Sequence, residues 1–116
     1  MTTINIVSDL HDDLLHNRVT AMPPVDADIT VVAGDARAPG TLALHRIREL
    51  YPDRSRPLVY VPGNHDFYSE PNDKAVRANP ALRTTYEYQR ENMPRVAEEL
   101  GIILLDDSAV LIDDIR

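Results

Sequence analysis

Three short runs rich in β-branched residues each stop at a cluster of ligand-type side chains, and no other feature of the sequence restricts the fold as tightly. Ile4-Asn5-Ile6-Val7-Ser8 leads into Asp9-Leu10-His11, and Ile29-Thr30-Val31-Val32-Ala33 leads into Gly34-Asp35. Leu58-Val59-Tyr60-Val61 leads, after Pro62, into Gly63-Asn64-His65-Asp66. Runs of this composition, bounded by Pro, Gly or Asp, read as strands. Their near-continuous apolar character predicts strands covered on both faces, as in a parallel sheet. In an open parallel sheet, ligands bind beyond the carboxyl ends of the strands. The three clusters, far apart in the chain, are therefore expected to converge at one edge of one sheet.

The connections are long enough to be crossovers. The first is irregular: residues 11–20 are expected to hold a short helix, and Met22-Pro23-Pro24 an extended loop. In the second, Thr41 is expected to cap a helix that follows Pro39-Gly40. Ala43, Ile47, Leu50 and Tyr51 fall on one face of it, and Pro52 ends it. Residues 69–80 read as a polar loop. Residues 82–100 read as a helix broken or kinked at Pro94, with Gly101 as its natural C-terminal cap. Ile102-Ile103-Leu104-Leu105 and Val110-Leu111-Ile112 flank Asp106-Asp107-Ser108, which predicts a hairpin, with Asp113-Asp114 as the next turn. The fold class is α/β: a mainly parallel sheet with helices and a C-terminal hairpin. At 116 residues there is room for one domain.

Composition narrows the chemistry. The chain has no Cys, which excludes disulfides and thiolate metal sites. No apolar run approaches the roughly 18 residues that cross a bilayer, and the first residues lack a secretion signal, so a cytoplasmic location away from membranes is expected. A net charge of −7 argues against a large basic face for nucleic acid. The oligomeric state is not legible.

The ligand clusters carry a specific geometry. Asp9 and His11 are two apart, so on extended backbone they point the same way and can share one ion. Gly34 lets the chain turn sharply, and the two oxygens of Asp35 can bridge two ions. Asn64 offers a neutral amide oxygen, while His65, its neighbour, points elsewhere, toward a substrate. Asp66 either orients His65 by hydrogen bonding or caps a helix. Oxygen and imidazole donors without sulfur suit Mn²⁺, Fe²⁺, Zn²⁺ or Ni²⁺. Taken singly, Asp9, Asp35 and Asn64 read as cap or turn residues; His at both 11 and 65 breaks that reading. His16 and His45 read as surface residues, Arg37 as a solvated loop Arg ahead of a phosphate contact, and Tyr68 as a partly buried loop Tyr ahead of a ring stacked on a substrate. One of Tyr86 and Tyr88 is assigned to packing, because two positions on a helix do not share a face.

Asp-x-His, Gly-Asp and Gly-Asn-His-Asp, each after a strand, resemble the calcineurin-like metallophosphoesterase family over essentially the whole chain. The resemblance implies the first half of an α/β/β/α sandwich and a metal-dependent hydrolase of phosphomonoesters or phosphodiesters. It implies two divalent metal ions, with Asp9 and His11 on the first, Asn64 on the second and Asp35 bridging. The implied nucleophile is a hydroxide on the metal pair, His65 and Asp66 are the catalytic residues, and the partner is a small-molecule or nucleotide phosphoester. The family's later His ligand and Gly-His-x-His motif have no counterpart here, and the second Asp and Arg of its Ser/Thr protein phosphatases are replaced around Ala38-Pro39. Residues 1–116 are therefore expected to be a single, C-terminally truncated domain of that family. The alternative is a catalytically incomplete remnant, or half of a split enzyme, acting as a folding or interaction module.

Overall fold

The computed structural model describes residues 1–11, 22, 25–68 and 74–116. The three apolar runs form strands β1 (Ile4–Ser8), β2 (Ile29–Ala33) and β3 (Leu58–Val61). With β4 (Ile103–Leu104) they make a four-stranded sheet in the order β1-β2-β3-β4, and every neighbouring pair is parallel. The fold is thus α/β on a parallel sheet. Residues 12–20, where a first helix is expected, and Pro23-Pro24 lie outside the described residues.

Helix α1 (Gly40–Leu50) connects β2 to β3. It buries Gly40, Ala43, Leu44, Ile47 and Arg48, and Tyr51 ends it. Its cap differs from expectation. Pro39 holds the N-cap position, and Thr41 is already the second helical residue, its N–H donating to Gln89 Oε1 at 2.9 Å. The side chain that satisfies this helix start comes from another helix, so adjacent sequence cannot reveal it.

Beyond β3, residues 69–73 lie outside the described residues. The rest of the expected loop is partly ordered: Lys74–Ala78 form the short helix α2, and Pro80–Leu82 a single tight turn. Helix α3 (Tyr86–Leu100) starts later than expected, capped by Thr85, whose Oγ1 accepts from Tyr88 N at 3.2 Å. It runs unbroken through Pro94. Pro94 is exposed while Met93, Val96 and Ala97 are buried, so its missing N–H falls on the solvent side. Gly101 adopts the expected left-handed cap, at φ 67°.

The chain after Gly101 corrects the expected hairpin. Ile103–Leu104 pair parallel to β3, and Leu105 N continues the ladder to Tyr60 O at 2.9 Å. Helix α3 carries the chain back to the sheet as a crossover, so β3 rather than the following segment is the partner. The C-terminal hairpin is smaller and later. Ile112 and Ile115 exchange two hydrogen bonds around Asp113-Asp114, both at positive φ, the geometry of a two-residue primed turn.

One face of the sheet builds the core. Val32 and Tyr60 sit in register and pack with Leu44 and Ile47 of α1 and Met93, Val96 and Ala97 of α3. On β1 the expected double coverage fails: Ile4 and Ile6 are 42% and 71% exposed. β1 is an edge strand, and these two side chains alternate onto the face away from α1 and α3.

Candidate metal centre

The three ligand clusters meet because the loops beyond β1, β2 and β3 stay paired after the strands end. Asp9 N donates to Gly34 O at 3.1 Å and His11 N to Asp35 O at 3.0 Å. Asp9, His11 and Asp35 all have left-handed backbones, with φ of 51°, 45° and 51°. Extended backbone is therefore not what aligns Asp9 with His11; two left-handed turns do it. Side-chain-bearing residues hold that conformation at a cost, and it persists where the surroundings over-determine it.

Glycines set the closeness of the second and third loops. Gly34 has φ 70°, and a Cβ on it would lie 2.9 Å from both Cα and N of Gly63. A Cβ on Gly63 would in turn collide with Asp35 Oδ1. The backbone thus passes directly beside the Asp35 carboxylate, and the next residue but one fastens it: His65 N donates to Asp35 Oδ1 at 3.0 Å.

Asp66 is fully buried and faces inward. Its carboxylate accepts from Tyr60 Oη at 2.8 and 2.9 Å, from Gly63 N at 2.7 Å and from Asp35 N at 3.4 Å. It therefore ties the loop beyond β2 to the loop beyond β3 and stands at the third residue of the tight turn Asn64–Asp66. Its oxygens are directed at these partners. Burial pushes its carboxyl up to about 6, against the pull of the hydrogen bonds from Gly63, Tyr60 and Asp35. Burial and the neighbouring Asp66 also raise the Tyr60 phenol. Tyr60 is a site-building residue that the sequence reading missed. The available signal was a Tyr alternating with Leu58 toward the core, whose hydroxyl needs a buried partner.

At the surface of this scaffold, Asp9, His11 and Asp35 each bring one ligand atom to within 4.8 Å of the other two, the one such group of acidic, His or Cys side chains among the described residues. His11 Nε2 lies 3.6 Å from Asp9 Oδ1. Two carboxylates and an imidazole, partly open to solvent, are a donor set that a hard or borderline divalent ion fits. Asn64 and His65 are exposed beside them. The His65 ring stands edge-on to the His11 ring, centroids 5.6 Å apart, and the Tyr68 ring lies 5.7 Å from that of His65. Asn64 Nδ2 donates to Tyr68 Oη at 2.9 Å. Of the remaining residues noted in the sequence, His45 is exposed on α1, and His16 falls outside the described residues. Tyr86 and Tyr88 are both exposed, and the Tyr86 ring meets Phe67 at 5.2 Å.

Comparison with known proteins agrees with this geometry. The family model described as calcineurin-like phosphoesterase matches residues 2–109. No curated protein and no solved structure matches the chain. Among the described residues no helix is long and apolar enough to cross a membrane.

Proposed function

The chain belongs to the calcineurin-like phosphoesterase family, and from that premise we propose that it takes part in metal-dependent hydrolysis of a small or nucleotide phosphoester at the carboxyl ends of β1, β2 and β3. The observation that carries this reading is the convergence of Asp9, His11 and Asp35, from two strands, to within 4.8 Å. In this reading Asp9 and His11 would hold one divalent ion, Asn64 would hold a second, and Asp35 would serve both. Bound ions of this kind supply Lewis acidity, lowering the pKa of bound water toward ~7.

The chain's own residues supply orientation and a proton. A water oxygen attacks phosphorus while the opposite ester P–O bond breaks. The leaving oxygen takes its proton from a ring nitrogen of His65, and the water's proton passes to solvent. Asp35 holds His65 in place through the hydrogen bond from His65 N. Asp66 acts behind both, by fixing the backbone on which Asp35 and Asn64 stand.

Residues 1–116 form, in this reading, one domain whose donor set is completed by later His ligands, from a following segment or from a second chain. Sequencing the gene in all three frames beyond the codon for Arg116 is expected to reveal a further His and a Gly-His-x-His. The protein carrying both halves, loaded with Mn²⁺, is then expected to release p-nitrophenolate from p-nitrophenyl phosphate, marking a monoesterase, or from the bis ester, marking a diesterase. Failure on both overturns the reading. Asp35→Asn is expected to lose bound metal and activity together. Retention of both overturns the bridging role. The rival, a catalytically incomplete module, draws on the donor count: the chain has four His, and His45 stands exposed on α1. Metal bound without turnover, and no second-half motif in the gene, would favour the rival.

A further inference from the structure

We infer that Tyr68 is a positioning residue for metal binding, fixing the side-chain amide of Asn64 so that its oxygen, and not its nitrogen, faces the ion. The inference rests on the reading of Asn64 as a metal ligand and adds to it a residue that no motif marks. An Asn amide has one arm that can ligate a cation and one that cannot: the oxygen carries lone pairs, the NH₂ carries two donors. The two arms have nearly the same shape, so packing alone does not choose between them. A partner that takes the nitrogen does.

Tyr68 is that partner. Asn64 and Tyr68 are four residues apart across the tight turn Asn64–Asp66, which brings both side chains to one side. Asn64 Nδ2 donates to Tyr68 Oη at 2.9 Å. At 39% exposure the phenol can turn its own proton to water while accepting from the amide. The backbone on either side of Asn64 is anchored to the bridging carboxylate. Gly63 passes so close that a Cβ there would strike Asp35 Oδ1, and His65 N donates to that same atom at 3.0 Å. The main chain is therefore fixed, and what is left to set is the amide rotation, which the hydrogen bond from Nδ2 to the Tyr68 hydroxyl holds with the oxygen turned away from Tyr68. The Tyr68 ring also flanks His65, with centroids 5.7 Å apart. The hydroxyl and the ring thus have separable effects, and Tyr68→Phe removes the hydroxyl alone.

Mn²⁺ titration of the 116-residue chain, following free Mn²⁺ by electron paramagnetic resonance, tests this. Partners of metal ligands change affinity by roughly 10–100-fold when removed, and for this partly exposed residue Tyr68→Phe is expected to raise the Kd about tenfold. The decisive variant is Asn64→Asp, because a carboxylate presents oxygen on both arms and needs no orienting partner. Tyr68→Phe is expected to leave the Kd unchanged in the Asn64→Asp background. A tenfold loss in both backgrounds overturns the inference in favour of a general structural role. An unchanged Kd for Tyr68→Phe, when Asn64→Ala does weaken binding, overturns the inference and leaves the metal reading standing. If Asn64→Ala leaves binding intact, the reading of Asn64 as a ligand falls and takes this inference with it.

Discussion

The two ends of the sheet are built on opposite principles. At the end where the strands begin, charged groups are answered one by one. Thr3 donates to Asp28 from both its N–H and its hydroxyl, at 2.8 and 3.0 Å, which holds the Asp28 carboxyl below its usual range. Arg56 pairs with Asp26 at 3.0 Å and donates to Ala27 O at 2.7 Å. Arg48, buried between the C-termini of α1 and α3, donates to Tyr51 O, Leu100 O and Gly101 O, each at 3.0 Å. That is where the helix dipoles favour a cation and where carbonyls lack partners. At the end where the strands finish, Asp9, Asp35 and His11 are crowded together on left-handed backbone; the Asp35 carboxylate accepts from one backbone N–H, that of His65, and the Asp9 carboxylate lies beside the His11 imidazole. One end is optimised for the fold. The other holds strain and like charge that an ion would relieve.

This contrast yields measurements that can break it. Arg48→Ala removes three hydrogen bonds from a charged donor, and at about 1.5 kcal/mol each the expected loss of stability is about 4.5 kcal/mol. The Mn²⁺ affinity of the folded variant should stay as it was, read by chemical denaturation beside metal titration. A change in affinity would show that the two ends are coupled. The second measurement is pH dependence. The Asp66 carboxyl is raised to about 6 in the fold, well above its unfolded value, so the folded state binds more protons between the two values. Stability from this group is present at acid pH and falls as pH rises toward 6, by at most about 3 kcal/mol at 1.4 kcal/mol per pKa unit. Tyr60 and Asp35 face the same carboxyl and must be kept in place. Asp66→Asn is expected to flatten this slope in metal-free protein, and a slope that survives would assign it elsewhere.

Gly34→Ala probes the site end directly. The left-handed φ and the approach to Gly63 predict a loss of about 2 kcal/mol. Here, unlike at Arg48, Mn²⁺ affinity should fall with stability, because Asp35 moves with the loop. The smallest effect belongs to neither end. Arg95 and Glu99 form an exposed pair at 2.9 Å on α3, and Arg95→Gln should cost about 0.4 kcal/mol with no change in affinity.

How much of this was legible in the sequence follows the same division. The three strands stand where their β-branched runs stand, and the convergence of Asp9, His11 and Asp35 follows from strand ends in a parallel sheet. Local pattern reaches that far. What it missed depends on partners distant in the chain. Thr41 was assigned a capping role, but Gln89 on α3 satisfies that backbone. Ile103 and Leu104 are as apolar as a hairpin strand, and nothing in them says that β3 is the neighbour. Asp66 sits beside His65 in sequence, yet a tight turn sends one inward and the other out. The left-handed backbone at Asp9 and His11 has no apolar period to announce it. The short helix α2 lies in a stretch whose polar residues and prolines read as loop.

The close passage of Gly34 against Gly63 limits how this centre can vary. With no room for a single methyl group between the two loops, neither can be lengthened, swapped or reshaped without displacing the other. New metal preferences or new substrates must therefore be sought by exchanging side chains on a fixed main chain, at positions such as Asn64 and Tyr68. In a library of variants, tolerated changes should cluster on the outward-facing residues of these loops, and the two glycines should stay glycine throughout.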